Sequence, residues 1–271
     1  VLLQLYAEHG EAMLRELRGM FALALWDGRR QRLLLARDTF GIKPLYTADV
    51  GGQLYFASQV NALREVVTDT RPDAAGAAGF LLWGSVPEPW TFVRGIRALP
   101  AGHFQVIERG RIGAAQPFLT VARLLRDAAQ QPAECSRTEA LARVAAAVHD
   151  SVAAHHVADV PVGVFLSAGL DSAMLALASA GRQAEQGGKL RTLTLGFTES
   201  ADTAQDETVL AADVAALAGA DAHTEWVQRL AAILDLLRRA LAAAALGVGG
   251  AGGAGRGHTP PPPVRGRRAE R

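Results

Sequence analysis

The run Asp159-Val-Pro-Val-Gly-Val-Phe-Leu166, joined directly to Ser167-Ala-Gly-Leu-Asp171-Ser172, constrains this chain more than any other stretch. Val162 to Leu166 is short, apolar and partly β-branched, as expected of a strand buried on both faces. From Asp171 onward, Leu175, Leu177 and many alanines favour helix. Between the two lies Ser167-Ala168-Gly169-Leu170, small and tight. A strand that feeds a helix through such a turn leaves backbone N–H groups pointing outward at the helix N-terminus. Together with the helix dipole they form an anion site, most often for phosphate. Ser167 and Ser172 add hydroxyl donors. Asp171 is negative, as phosphate is, and a magnesium ion between them reconciles the charges. The plainer alternative is an ordinary strand–turn–helix of an α/β domain.

The pattern has no Lys-Ser/Thr after the glycine and is not G-x-G-x-x-G. It resembles the pyrophosphate loop of the ATP pyrophosphatases, written S-G-G-x-D-S. The preceding Asp159–Leu166 narrows the likeness to the glutamine-hydrolysing asparagine synthetase family. The resemblance implies ATP and magnesium as cofactors. It assigns the pyrophosphate to Leu166, Ser167, Ala168, Gly169, Leu170, Asp171 and Ser172, with Asp171 meeting magnesium through the pyrophosphate. Backbone near Leu166 and near Leu195-Gly196 would meet the adenosine part. Ala168 stands where the family usually has Gly. If that position needs a positive φ, Ala costs about 1 kcal/mol; if it does not, the methyl can still crowd a phosphate oxygen.

The N-terminal part reads differently. Phe21-Ala-Leu-Ala-Leu-Trp26, Asp27-Gly28 and Arg32-Leu-Leu-Leu-Ala-Arg37 predict a β-hairpin. A second is predicted from Pro44–Ala48, Gly51-Gly52 and Gln53–Ala57, and a third around Arg109-Gly110. Val1 to Leu17 reads as helix broken near Gly10, Gln59 to Val66 as a short helix, and Asp73 to Trp83 as another. Residues 19–27, 36–46 and 54–58 look like the later part of a class II glutamine amidotransferase domain, with Gln59 where the family usually has Glu. Arg37-Asp38 reads as a structural ion pair, and His103 as a structural residue. The family's glutaminase nucleophile is an N-terminal cysteine activated by its own amine. Residue 1 here is Val, the family's Asn-Gly-Glu stretch has no counterpart, and Cys135 lies in a polar stretch far along the chain. No glutaminase catalytic residue is therefore assigned, and the chain as it stands is expected not to hydrolyse glutamine by the family mechanism.

The expected fold is an α+β portion with amidotransferase-type antiparallel sheet, followed by an α/β parallel-sheet domain of the adenine-nucleotide-hydrolase (pyrophosphate-loop) type. Its expected parts are residues 1–119, a linker at 120–137, a partial synthetase domain at 138–230, and at 231–271 a helix then a disordered tail. The predicted helix over Thr138–His156 carries Leu141, Val144, Val148 and Val152 on one side, with His149, His155 and His156 facing solvent. Leu190–Phe197 predicts a second parallel strand, Asp206–Leu217 a helix, and Ala222–Trp226 the start of a third strand. Ligands of such sheets bind beyond the carboxyl ends of the strands. Asp206-Glu207 and His223 match family positions and read mainly as structural. The resemblance is expected to end near Trp226. Beyond Leu246 the Gly-, Pro- and Arg-rich composition predicts disorder, and its abrupt onset would also fit a shifted reading frame.

The whole chain has 271 residues, a net charge of +1 and a single cysteine. The charge argues against nucleic acid as a partner, and the cysteine count suits a reducing, cytoplasmic setting. No membrane span or signal peptide is expected. The start at Val suggests a fragment of a longer protein. The expected function is that of an ATP-dependent amide-forming ligase. It would adenylate aspartate, use ammonia from glutamine, release AMP and pyrophosphate, and work on small molecules alone. The resemblance leaves a homodimer open. The alternatives are a relative that amidates or cyclises another carboxylate, and a non-catalytic remnant or nucleotide-binding module, for which an unfinished sheet edge would speak.

Overall fold

A computed structural model describes residues 1–228. The chain divides into two units between Arg137 and Thr138. The expected helix after Val227 and the Gly/Pro/Arg-rich tail lie outside the described residues.

The first unit opens with α1 (Leu2–His9) and a 3-10 turn over Gly10–Arg15. Strands β1 (Ala22–Asp27) and β2 (Arg32–Arg37) form the predicted hairpin. Strands β3 (Tyr46–Val50) and β4 (Gln53–Ala57) form the second. Helices α2 (Val60–Arg64) and α3 (Ala74–Trp83) follow, then β5 (Ile96–Ala98), β6 (His103–Glu108), β7 (Arg111–Ile112) and β8 (Gln116–Pro117). The strands pair antiparallel in two sheets, ordered β1-β2-β6-β7 with β8 on β6, and β4-β3-β5. Period-two alternation decides the layering. Leu34 of β2 packs with Tyr6, Met13, Leu14 and Leu25 beneath α1. Leu33 and Leu35 point the other way and meet Leu54 of β4, with Leu45 just before β3 and Leu99 just after β5. A helical layer and a second sheet thus cover opposite faces of β2.

Arg37 and Asp38 are structural, though not as a pair with each other. The Asp38 carboxylate accepts backbone N–H bonds from Phe21, Phe40, Ile42 and Lys43 at 3.0–3.3 Å. The Arg37 guanidinium donates to the carbonyls of Lys43, Gly41 and Leu99 and pairs with Glu88 at 2.6 Å. Burial pushes the Asp38 carboxyl up, but the four N–H donors outweigh it and hold it below its ordinary value. His103 is also structural: its Nδ1–H donates to the Ala101 carbonyl at 2.8 Å.

Residues 120–137, read as an irregular linker, instead contain α4 (Val121–Gln130). The Thr120 hydroxyl caps it by accepting the Arg123 N–H. Val121, Leu124 and Leu125 have the spacing of one helix face, yet no residue of α4 is buried. Cys135 is an exposed free thiol between α4 and the next helix.

The second unit contains α5 (Arg137–His155), β9 (Gly163–Phe165), α6 (Leu170–Glu185), β10 (Arg191–Phe197), α7 (Thr208–Leu217) and β11 (Asp221–Val227). The strands pair parallel in the order β11-β10-β9. They run in one direction across the sheet, so right-handed crossovers place both connecting helices on the same face. Ala176 of α6 and Ala211 and Ala215 of α7 pack there against Val164, Leu166 and Leu190. Among the described residues the other face is bare. This corrects the expectation of a first strand buried on both faces, because Phe165 is 74% exposed. On α5 Val152 is buried, whereas Leu141 and Val144, on the predicted apolar side, are exposed. His149 and His155 face solvent, but His156 is half-buried beside the Gln183 side chain at 3.3 Å.

Asp38→Ala would leave four N–H groups without their acceptor and should destabilise the first unit by about 3 kcal/mol in denaturant unfolding near neutral pH. The folded carboxyl has a lowered pKa, so this stabilisation is present above the ordinary carboxylate range and is lost as pH falls through the folded value. The gap between the two proteins should therefore shrink at acid pH. Equal unfolding midpoints at neutral pH would remove Asp38 from this role.

Candidate functional site

The carboxyl ends of the parallel strands lead into the turn that the sequence singles out. β9 ends at Phe165, and Leu166 extends its pairing through an N–H bond to the Leu193 carbonyl at 2.9 Å. Leu166 is buried and anchors the Ser167–Gly169 turn. Gly169 takes the capping position of α6 with φ −70° and ψ 148°, and no side chain caps the helix. The first backbone bond into the helix runs from the Ala173 N–H to the Gly169 carbonyl. The N–H groups of Leu170, Asp171 and Ser172 are thus the open donors of the first turn.

The two serines shape this turn. Their hydroxyls lie 3.0 Å apart. The Ser172 hydroxyl accepts the Ser167 N–H, and the Ser167 and Gly169 carbonyls lie 3.0 Å from it. The Ser167 hydroxyl accepts the Gly169 N–H at 3.3 Å. A Cβ added at Gly169 would sit 3.3 Å from the Ser167 hydroxyl, so the glycine leaves the serines room. Ala168 is absent from the positive-φ residues, which are Gln31, Arg109 and Asp202 besides glycines. Its methyl therefore carries no conformational cost, and crowding of a ligand is the remaining consequence. Asp171, in the first turn of α6, is exposed. Among the described residues no group of three His, Cys, Asp or Glu could hold a metal by itself. A cation here would need ligand oxygens from an anion beside Asp171.

A cleft of about 410 Å³ adjoins the turn, lined by Phe165, Leu166, Ser167, Leu193, Thr194, Leu195, Phe197 and Glu207. It brings together Leu166, Ser167 and Leu195 from the sequence-derived set. Gly196 faces the opposite way: a Cβ there would meet the Trp226 ring at 2.7 Å. The missing side chain leaves that indole room to pack on the sheet. Phe197 lies at the strand end where the sequence places ligands, whereas Phe165, Leu193, Thr194 and Glu207 were not foreseen as cleft residues. The alternation of Leu193, Leu195 and Phe197 on one side of β10 was the available signal.

Asp206 and Glu207 separate in role. Asp206 accepts the hydroxyl and N–H of Thr208 and the N–H of Asp202, and these bonds hold its carboxyl below its ordinary value. Glu207 occupies the capping position of α7 without a side-chain bond to the helix. His223 sits on the bare sheet face, 3.4 Å from the Glu225 carboxylate.

Comparison with known proteins adds independent findings. Residues 1–118 match the family model described as a glutamine amidotransferase domain, and residues 143–252 match that described as asparagine synthase. The second match runs well past Trp226, where the sequence reading placed the end of the likeness. A Mycobacterium tuberculosis protein provisionally named asparagine synthetase [glutamine-hydrolyzing] is 34% identical over 89% of this chain and 37% of its own length. Asparagine synthetase [glutamine-hydrolyzing] 1 of Bacillus subtilis is 32% identical over 73% of the chain and 30% of its own length. Asparagine synthetase B of Escherichia coli is 34% identical over 65% and 26% respectively. The chain thus spans little more than a third, at most, of these relatives.

Gly196→Ala should destabilise the second unit by about 1–3 kcal/mol through overpacking against Trp226. In a Trp226→Leu background most of that penalty should vanish, as a double-mutant cycle in denaturant unfolding would read. A penalty unchanged by Trp226→Leu would mean that the glycine is required for another reason.

Proposed function

The chain belongs to the asparagine synthetase family, and from that premise we propose that its Ser167–Ser172 turn holds the pyrophosphate of ATP in an amide-forming ligase. The observation that carries this is the uncapped first turn of α6, with its free donors, at the carboxyl edge of a parallel sheet. The chain covers only part of its relatives' length, so the whole reaction, with aspartate and ammonia from glutamine as substrates, belongs to this proposal.

When bound, ATP with its magnesium ion supplies adenylation of the substrate carboxylate, pyrophosphate being released before ammonia displaces AMP. The residues here have more limited tasks. The N–H groups of Leu170, Asp171 and Ser172 donate to phosphate oxygens, helped by the dipole of α6. Ser167 and Ser172 hold the turn open and leave the backbone donors outward. Asp171 offers its carboxylate to the cation, not to the phosphate, since two anions in contact would repel. Leu195 and the Leu166 backbone line the cleft on the nucleoside side. The site suits this ligand: several backbone N–H groups, one exposed carboxylate in the first turn of α6 for a cation and, among the described residues, no cluster of acids that would repel phosphate.

The test is nucleotide binding by the 271-residue chain. Asp171→Asn should weaken ATP about tenfold or more in the presence of magnesium and leave the small magnesium-free affinity equal or higher, because it removes a charge that repels phosphate. Ala168→Gly should tighten ATP a few-fold by removing the methyl beside the phosphates. Magnesium-dependent binding that survives Asp171→Asn would take Asp171 out of the site. Equal affinity of the Ala168→Gly variant would show that the methyl touches nothing in the bound state.

A further inference from the structure

Among the described residues, Glu207 is the one titratable side chain in the cleft beside the turn. Three features set it apart from the neighbouring Asp206. It is exposed, it makes no capping bond to α7, and it lines the cleft, whereas Asp206 is engaged by Thr208 and Asp202. A carboxylate oxygen accepts hydrogen bonds, and the N-terminal end of α7 favours an acidic side chain at this position. Phosphate oxygens would be repelled by it. The part of a nucleotide that faces Glu207 must instead carry neutral donors.

The remaining walls indicate which part. Phe165, Leu193, Leu195 and Phe197 offer apolar surface that suits a planar base. A carboxylate has two oxygens and matches a pair of adjacent hydroxyls, as acidic residues do toward the ribose in other parallel-sheet nucleotide sites. We propose that Glu207 is a specificity-determining residue that accepts hydrogen bonds from the sugar hydroxyls of the nucleotide and so selects ribonucleotides over deoxyribonucleotides. This rests on the reading of the Ser167–Ser172 turn as the pyrophosphate site.

Binding to the whole chain, measured calorimetrically with magnesium present, separates the two readings. The ligands are ATP, 2′-deoxy-ATP, 3′-deoxy-ATP, inosine triphosphate and inorganic pyrophosphate. In the unaltered protein, loss of either hydroxyl should weaken binding about tenfold, roughly the worth of a hydrogen bond to a charged group. Inosine triphosphate, which lacks the base amine, should bind within about twofold of ATP. Glu207→Ala should weaken ATP about tenfold and erase the preference for the hydroxyls, with pyrophosphate affinity unchanged. Glu207→Gln, which keeps one acceptor oxygen, should recover part of the preference. A hydroxyl preference that persists in Glu207→Ala overturns the proposal and leaves the turn's assignment standing. A preference resting on the base amine does the same. If neither ATP nor pyrophosphate binds the unaltered chain, the assignment of the turn falls and the role of Glu207 falls with it.

Discussion

The handedness of the parallel crossovers governs the second unit. Parallel strand–helix–strand crossovers are right-handed as a rule, and β9, β10 and β11 succeed one another in one direction, so α6 and α7 share a face. Their N-termini must also share an edge, because every helix begins where a parallel strand ends. That single constraint brings Ser167–Ser172 at the start of α6 and Glu207 at the start of α7 to the same rim, 35 or more residues apart in sequence. Among the described residues it also leaves the opposite face bare, where Phe165 and Leu195 stand exposed. The open donors, the cleft and the uncovered sheet face are consequences of one topological choice.

The first unit is held by another kind of interaction. Asp38 and Arg37 are among the few buried charges of the described residues, and neither depends on the other. Each satisfies backbone groups of the Phe40–Lys43 loop, one by accepting N–H bonds and the other by donating to carbonyls. The loop after β2 has no ladder partner of its own, and these two side chains pair its backbone groups in place of one. Two adjacent charges of opposite sign supply both kinds of partner. Arg37 then reaches Leu99 and Glu88, which ties the first sheet to the chain leading out of the second.

Local signals in the sequence were sufficient for the hairpins, for α3 with its Asp73 cap, and for the strand–turn–helix around Ser167. Each of these is specified within about a dozen residues, by turn glycines, capping side chains and periodicity. What the sequence hid depends on partners distant along the chain. The Val162–Leu166 run looks like an interior strand because nothing local says that the helices will share one face. The helix within 120–137 was missed because its polar composition resembles a linker, although Thr120 and the Val121, Leu124, Leu125 spacing were legible. Arg37 and Asp38 look like a pair because they are adjacent, yet successive strand residues point to opposite faces and reach different partners. At the site, the backbone-binding turn was readable from residue type, whereas Glu207 was not, since its neighbour Asp206 shows the more familiar capping pattern.

The internal bonds of the turn bear on how it can recognise an anion. A hydroxyl can donate only one proton, and the Ser172 hydroxyl is surrounded by the Ser167 and Gly169 carbonyls and the Ser167 hydroxyl. The Ser167 hydroxyl accepts from Gly169 and can give its own proton to the Ser172 oxygen 3.0 Å away. Both serines are therefore committed first to the shape of the turn. The donors left over are backbone groups, which have no rotamers to lose on binding and carry no charge that must be desolvated. On the proposed reading, donors of this kind would select for the geometry of a polyphosphate and be indifferent to what the phosphate is attached to. Discrimination among nucleotides must then come from side chains beyond the turn. Among the described residues the cleft wall formed by β9, β10 and the start of α7 is where those side chains stand.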